Sequence, residues 1–348
     1  MNRFRELYCI NQLPIFQNRM YDNETEATEC PKGDMRLVED LQTGLVYNAS
    51  FCPELMVYDE HYQNEQAVSP LFREHLAFVS KIIERTMGMQ DIVEVGCGKG
   101  YFLELLLQHG FDITGFDPAY QGTNTRIERH YFKPSIGINA TGLILRHVLE
   151  HIKEPVDFLK QIKDANGGSG LIYIEVPDFD WICSKRAWFD IFYEHVNYFR
   201  LVDFDRMFDK VIESGKLFGG QYLYVVAELS GLKSPQYFEE HSVQFPEDFI
   251  DSVRTEQNRT AIWGGASKGV IFSLMKQRFG MPCNTVIDIN PAKQGKFLPA
   301  TGLQVQSPTE ALSKLKAGAT IYVMNSNYLE EIKKISRNTY NYICIDHE

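Results

Sequence analysis

Three glycines and two carboxylates are the first residues in this sequence that point to chemistry. Asp91-Ile-Val-Glu-Val-Gly-Cys-Gly-Lys-Gly100 has the pattern of a buried strand followed by a glycine turn, and Ile113-Thr-Gly-Phe-Asp117 has that of a second strand ending in an acid. Such glycines let the backbone turn sharply and leave room for a ligand, and an acid after the next strand can bind a ribose diol. The pattern predicts a nucleotide-type cofactor at this turn.

Two cofactors fit this layout. Dinucleotide turns prefer Gly-x-Gly-x-x-Gly, which places a pyrophosphate on a helix N-terminus, but here the third glycine comes one residue early. Glu94 also precedes the turn, and a carboxylate there would repel a pyrophosphate but suits a cation. S-adenosylmethionine (SAM), with its sulfonium and amino groups, is that ligand. The residues predicted to bind it here are Glu94, Gly96, Cys97, Gly98, Gly100, Asp117 and Pro118.

Strands and helices alternate around this turn. Apolar residues with helical spacing predict a helix over 72–87, strands are predicted near 141–147 and over 171–176, and a helix is predicted near 155–164. A further unit begins at Thr260-Ala-Ile-Trp263, which leads into a second glycine turn, Gly264-Gly-Ala-Ser-Lys-Gly269. These patterns predict a doubly wound α/β sheet followed by a second Rossmann-like unit, preceded by a short, irregular lid.

Composition limits the class of protein. The chain has 348 residues, 44% of them hydrophobic, which is ample for a buried core. The net charge of −11 disfavours nucleic acid as a partner, and neither a membrane-length apolar run nor a secretory signal is present. Seven cysteines without short-spaced pairs suggest reduced thiols. We therefore expect a cytoplasmic protein with a small-molecule substrate; the oligomeric state stays open.

Six segments together carry a resemblance that spans essentially the whole chain. They are Glu94–Gly100, Arg146-His-Val-Leu-Glu-His151, Glu175-Val-Pro177, Tyr193-Glu-His-Val-Asn-Tyr-Phe199, Phe218-Gly-Gly-Gln-Tyr222 and the turn 263–269. In this order they resemble the three-domain class I SAM-dependent methyltransferases related to the sugar C-methyltransferases of deoxysugar pathways. The resemblance implies a zinc-ribbon-like lid at 1–75, a SAM domain at 76–250 and a C-terminal Rossmann-like substrate domain at 251–348.

The chemistry that this resemblance implies is C-methylation of a nucleotide-linked keto-sugar. A proton is removed beside a 4-keto group, and the enolate attacks the methyl of SAM. His195 is the predicted base because imidazole titrates near neutral pH. Glu194 would orient its ring or bind a substrate hydroxyl, and Tyr193 would donate a hydrogen bond to the enolate oxygen.

Two further groups of residues are assigned through the same resemblance. Arg146, His147 and His151 are predicted to border the SAM pocket, with His147 close to the methionine end. The predicted substrate contacts are Tyr58, Tyr62, Gly219, Gln221, Tyr222, Ser267 and Lys268, with Lys268 and the second glycine turn facing the phosphates. O- or N-methylation of a sugar or another small molecule is the alternative.

The sequence also departs from this family. Asp40 and Thr43 occupy the positions of a cysteine pair in the lid, and only Cys9 remains near the N-terminus. A structural zinc site needs about four thiolate or imidazole ligands. We therefore predict no bound metal and a lid held by apolar packing. Phe192 stands where the family has a tyrosine, and Gln221 ends a segment that usually reads His-Gly-Gly-Ser.

Two other classes are weighed against this interpretation. His147-Val-Leu-Glu-His151 matches a zinc-protease pattern, which requires a helix, but here it follows a strand and precedes Pro155. A nicotinamide-binding protein would use the second glycine turn with Asp288, but the glycine spacing from 264 to 269 is irregular. Both are weaker predictions than a methyltransferase.

Overall fold

The computed structural model describes residues 3–56, 66–254 and 260–346. Tyr58 and Tyr62, predicted as substrate contacts, lie outside the described residues. Within the described ranges no helix is both long enough and apolar enough to cross a membrane.

The N-terminal part of the chain forms an antiparallel sheet. Its elements are β1 (Phe4–Pro14), α1 (Glu24–Thr28), β2 (Lys32–Asp40) and β3 (Val46–Asn48). The sequence predicts a short, irregular segment here, but β1 and β2 form a long antiparallel pair. The apolar side chains of Leu13, Met35 and Leu37, which are buried on one face, stabilise this pair. Asp40 accepts hydrogen bonds from the N–H groups of Gln42 (2.7 Å) and Thr43 (3.2 Å). A carboxylate-closed turn thus stands at the cysteine positions of a zinc ribbon.

The middle part forms a seven-stranded sheet. Its elements in chain order are α2 (Pro70–Met87), β4 (Ile92–Val95), α3 (Tyr101–Gln108), β5 (Ile113–Phe116), β6 (Ile127–Glu128), β7 (Gly142–Arg146), α4 (Pro155–Ala165), β8 (Leu171–Pro177), α5 (Phe179–Ser184), β9 (Asn197–Tyr198), α6 (Leu201–Met207), β10 (Val211–Leu217) and β11 (Tyr222–Glu228). The strand order is β10-β11-β8-β7-β4-β5-β6, in which only β11 runs antiparallel to its neighbours. The predicted doubly wound α/β fold is confirmed, with its topological switch beside β4.

The predicted lid boundary is not a structural one. Residue 75 falls inside α2, which begins with Pro70 in its first turn, where proline is tolerated. The short strand β9 leaves the middle unit and pairs with β3 of the N-terminal sheet. The two units are therefore joined by backbone hydrogen bonds.

The C-terminal part forms a parallel five-stranded sheet. Its elements are β12 (Thr260–Trp263), α7 (Ser267–Arg278), β13 (Thr285–Ile287), β14 (Val305–Gln306), α8 (Pro308–Lys314), β15 (Thr320–Val323), α9 (Leu329–Ile335) and β16 (Asn341–Cys344), in the order β14-β13-β12-β15-β16. Val270, Ile271 and Phe272 of α7 share one apolar cluster with Leu13 and Phe189. The last unit thus packs directly on the first.

Candidate active site

One cavity of about 380 Å³ opens at the carboxyl ends of β4 and β12. Gly96 and Gly98 line it on one side, Ala266 and Ser267 on the other, and Asn18 of the N-terminal part also borders it. Ligands of α/β sheets bind at such strand ends. The two glycine turns predicted from sequence therefore share one cavity.

The first glycine turn needs its glycines for two different reasons. All three have positive φ, +76° at Gly96, +57° at Gly98 and +81° at Gly100. A Cβ at Gly96 would lie 2.5 Å from Val148, and one at Gly100 would lie 2.5 Å from Ile127. A Cβ at Gly98 would meet no atom of the described residues within 4 Å, so the space above this residue can accommodate a ligand.

Cys97 contributes differently from its neighbours. Its Sγ would lie 2.9 Å from a Cβ built on Gly115 of β5, so the thiol packs against that strand. Burial raises the pKa of this thiol well above its ordinary value. Cys97 therefore shapes the turn through its backbone and keeps a protonated side chain in the core.

Glu94 presents an unsatisfied carboxylate beside the turn. The residue is only 2% exposed, and its Oε2 is buried without a hydrogen-bond partner among the described residues. Burial raises its pKa from 4.5 to about 7, against the opposing effect of Arg146. Because a buried carboxylate without a partner is unfavourable, this group is suited to a cationic donor such as the amino group of SAM.

Asp117 holds the glycine turn itself. Its Oδ2 accepts the N–H of Gly98 at 2.8 Å, and its Oδ1 accepts the N–H of Ala119 at 2.8 Å. Neither Asp117 nor Pro118 is among the residues that line the cavity. Contact of this acid with a ribose stays a prediction.

Arg146 and His147 belong to a buried charge network that the sequence did not reveal. Its centre is Glu175, which accepts hydrogen bonds from Arg146 Nε (3.1 Å), Tyr173 Oη (2.7 Å) and His75 Nε2 (2.9 Å). Burial would raise the pKa of Glu175, yet the Arg146 guanidinium and the hydrogen bonds from His147 and His75 hold that pKa well below its usual range. The Arg146 guanidinium, predicted at the cofactor, is thus already paired.

His147 lies between two acids at the edge of the cavity. Its Nδ1 is 3.3 Å from Glu150 Oε1 and its Nε2 is 3.3 Å from Glu175 Oε1. Burial opposes its protonation, but the two carboxylates raise its pKa to about 9. His147 has a left-handed backbone (φ +53°) and meets the Tyr222 ring edge-on at 4.6 Å between centroids. The cavity therefore carries an imidazolium here.

The segment Leu149–His151 is a short 3-10 helix, which lacks the α-helical spacing of the zinc-protease pattern. Its two polar residues, Glu150 and His151, lie close to His195. One carboxylate oxygen of Glu150 and one ring nitrogen each of His151 and His195 lie within 4.8 Å of one another. The His195 ring, 9% exposed, packs on Phe192 at 4.1 Å between centroids. Burial holds the pKa of His195 well below its usual range, so its imidazole is neutral.

Glu194 lines the cavity, and both its carboxylate and the Tyr193 hydroxyl accept hydrogen bonds from backbone N–H groups. Glu194 Oε1 accepts the N–H of Gln17 at 2.5 Å, which ties the carboxylate to the N-terminal backbone rather than to the His195 ring. Tyr193 is 1% exposed, and its hydroxyl accepts the N–H of Cys52 at 2.8 Å, away from the cavity lining. The described geometry gives the Tyr193 hydroxyl a backbone partner outside the cavity lining, and its role as an enolate stabiliser stays a prediction.

The second glycine turn brings Lys268 into the cavity, where it already has partners. Its Nζ lies 2.9 Å from Asp190 Oδ2 and 2.9 Å from Gln221 Oε1, and 4.9 Å from the centre of the Trp181 ring. The charge that Lys268 offers to a phosphate is therefore shared with Asp190.

The other predicted substrate contacts divide into two groups. Ser267 and Tyr222 line the cavity. Gln221 and Gly219 do not line the cavity. The Gln221 side chain accepts a hydrogen bond from Lys268, and a Cβ at Gly219 would lie 2.5 Å from Asn327. These two positions support the wall of the cavity.

Comparison with known proteins agrees with this geometry. A family described as a methyltransferase domain matches residues 58–211. The C-methyltransferase NovU of Streptomyces niveus is 23% identical over 72% of this chain and 71% of its own length. The open space above Gly98 and the unsatisfied Glu94 fit SAM. The fold and the site define a SAM-dependent methyltransferase.

Solved structures resemble parts of the chain. A SAM-dependent methyltransferase from Archaeoglobus fulgidus is 18% identical over 45% of this chain and 98% of its own, with a TM-score of 0.34. The 1,6-didemethyltoxoflavin N1-methyltransferase of Burkholderia thailandensis is 12% identical over 53% of this chain and 95% of its own, with a TM-score of 0.35. Likenesses at this level say nothing about the substrate.

Proposed function

We propose that the protein transfers the methyl group of SAM to a carbon atom of a nucleotide-linked keto-sugar. The observation that carries the proposal is the buried imidazole of His195, which lies in the same cavity as the first glycine turn. The 23% identity to a C-methyltransferase supports carbon as the acceptor. Methylation of a hydroxyl or an amine is the alternative.

The first glycine turn and Glu94 would hold the cofactor. Glu94 would accept a hydrogen bond from its amino group, and Gly98 would let its chain lie against the backbone. Asp117 keeps the turn in shape through the N–H of Gly98. When bound, SAM supplies an electrophilic methyl group on a sulfonium.

His195 would act as the base. Its unprotonated nitrogen accepts the proton beside the keto group, and the electron pair of that C–H bond moves onto the carbonyl oxygen. The enolate carbon would then be the nucleophile toward the methyl group that bound SAM supplies, with the thioether as leaving group. Burial disfavours the imidazolium that results, whereas the carboxylate of Glu150 nearby would stabilise it.

Lys268 and Ser267 would face the phosphates of the substrate. Both lie at the start of α7, where backbone N–H groups and the helix dipole favour an anion. Because Asp190 takes part of the Lys268 charge, we expect Lys268 to make only a modest contribution to the affinity for the nucleotide.

The test is His195→Asn, assayed with chelator present for methyl transfer to a panel of nucleotide-linked 4-keto-sugars and for exchange of the α-proton in deuterated water. Loss of the base should lower both by roughly 10²–10⁴-fold while calorimetry shows unchanged SAM binding. His109→Asn, at an exposed histidine, is the matched control. Undiminished exchange in His195→Asn would remove His195 as the base, and a methylated oxygen or nitrogen in the wild-type product would overturn C-methylation.

A further inference from the structure

Glu150, His151 and His195 form a cluster whose donor atoms all lie within 4.8 Å of one another. We propose that this Glu-His-His cluster binds a first-row divalent cation. One carboxylate and two imidazoles are a common donor set for Zn²⁺ and Fe²⁺, with the remaining coordination positions open to substrate. The sequence predicted no metal site because the cysteines of the lid are missing, and this cluster lies elsewhere.

Glu150 is the member of the cluster whose buried charge a cation would stabilise most. It is 1% exposed, and both of its carboxylate oxygens are buried without a hydrogen-bond partner in the described part of the chain. His147 forms an ion pair at 3.3 Å with Oε1. Leaving a buried carboxylate so poorly satisfied is costly, and a divalent cation would satisfy it directly.

His151 is oriented as a metal ligand usually is. Its Nδ1 lies 2.8 Å from the backbone carbonyl oxygen of Glu194, which can only accept, so Nδ1 is the donor of this hydrogen bond. Histidines that bind metals commonly donate their second nitrogen to a carbonyl in this way. The carbonyl is itself held in place, because the Glu194 side chain is hydrogen-bonded to Gln17.

The position of the cluster gives the cation access to substrate. All three residues line the cavity that the first glycine turn also borders. A cation there would have open positions toward a carbonyl or hydroxyl oxygen of the acceptor. An imidazole bound to a metal cannot also accept a proton at the same nitrogen. If the proposed function holds, loaded protein should therefore exchange the α-proton more slowly than metal-free protein.

Co²⁺ is the probe of choice for the full-length protein, without SAM or substrate. The seven cysteines are soft ligands that could capture a metal elsewhere, and thiolate binding to Co²⁺ produces intense near-ultraviolet charge-transfer bands. We expect one Co²⁺ per chain with visible d–d bands and without thiolate bands. Glu150→Gln and His195→Asn should each weaken this binding about tenfold or more.

Three measurements decide the proposal. His109→Asn should bind Co²⁺ like the wild type, and thermal melting should show that Glu150→Gln remains folded. Absence of saturable d–d bands at about millimolar Co²⁺, or equal binding by Glu150→Gln, would overturn the cation site. Because these readouts use no cofactor or substrate, their failure would leave the proposed methylation untouched, and a failure of methylation would leave them untouched.

Discussion

Glu94→Gln tests the electrostatic account of cofactor binding most directly. The change keeps the size of a side chain that is buried at the cavity and removes its charge. Loss of a hydrogen bond to a charged group costs about 1.5–3 kcal/mol. At pH 8 calorimetry should therefore show SAM binding weakened by roughly 10- to 150-fold. Glu104→Gln, at an exposed acid of α3, should bind SAM normally.

The pH dependence sharpens this test. The pKa of Glu94 is about 7 without ligand, and SAM favours the ionised form. Wild-type affinity should therefore fall about tenfold for each pH unit below 7, whereas the affinity of Glu94→Gln should stay nearly flat. Equal affinities of the two proteins at pH 8, or a flat wild-type profile, would refute the assignment of Glu94.

The free energy of unfolding of the ligand-free protein should depend on pH in the opposite sense to SAM affinity, because Glu94 lowers it as pH rises. A carboxyl whose pKa is higher in the folded protein than in the unfolded chain binds more protons when folded, so its stability contribution is lost as pH rises through that window. For Glu94 the window runs from 4.5 to about 7. Above it Glu94→Gln should be more stable than the wild type, by up to about 3 kcal/mol. Denaturant unfolding at pH 8 measures this difference.

Three further substitutions separate residues that contact ligand from residues that support them. Asp117→Asn should weaken SAM binding by about ten- to a hundredfold, since it removes the charge of the carboxylate that accepts the Gly98 N–H. Wild-type SAM affinity of this variant in calorimetry would show that Asp117 does not support the cofactor site. Tyr193→Phe should keep methyl transfer near wild type and lose about 1 kcal/mol of stability with the Cys52 hydrogen bond; a large loss of turnover would return it to catalysis. Lys268→Met should raise KM for a phosphate-bearing substrate with little change in kcat; an unchanged KM would place the phosphates elsewhere.

Much of the fold could be predicted because its signals are local. The glycine turn at 96–100 follows a short buried strand, and the predicted strands near 141–147 and over 171–176 correspond to Gly142–Arg146 and Leu171–Pro177. The N-terminal sheet was missed because its third strand pairs with Asn197–Tyr198, far along the chain. Hydrogen bonds between such distant segments leave no periodic pattern in either one.

The candidate site divides in the same way. From the sequence alone, the adjacent residues Tyr193, Glu194 and His195 are equally good candidates for catalysis. No regular spacing in a loop indicates which side each of them faces. The fold decides it: the Tyr193 hydroxyl bonds to Cys52 outside the cavity lining, whereas Glu194, bonded to Gln17, and His195 both line the cavity. That Glu150 lacks a hydrogen-bond partner among the described residues is likewise a consequence of its burial.

The sequence by itself determined the α/β fold and the cationic character of the cofactor, because an acid placed before a glycine turn has the same chemistry in any surrounding fold. Only the tertiary structure decided which polar groups remain available to ligands. Lys268 is paired with Asp190, and Arg146 with Glu175, whereas one carboxylate oxygen of Glu94 has no hydrogen-bond partner among the residues that the structure describes. Charges interact through space rather than along the chain, so their partners are known only once the chain has folded.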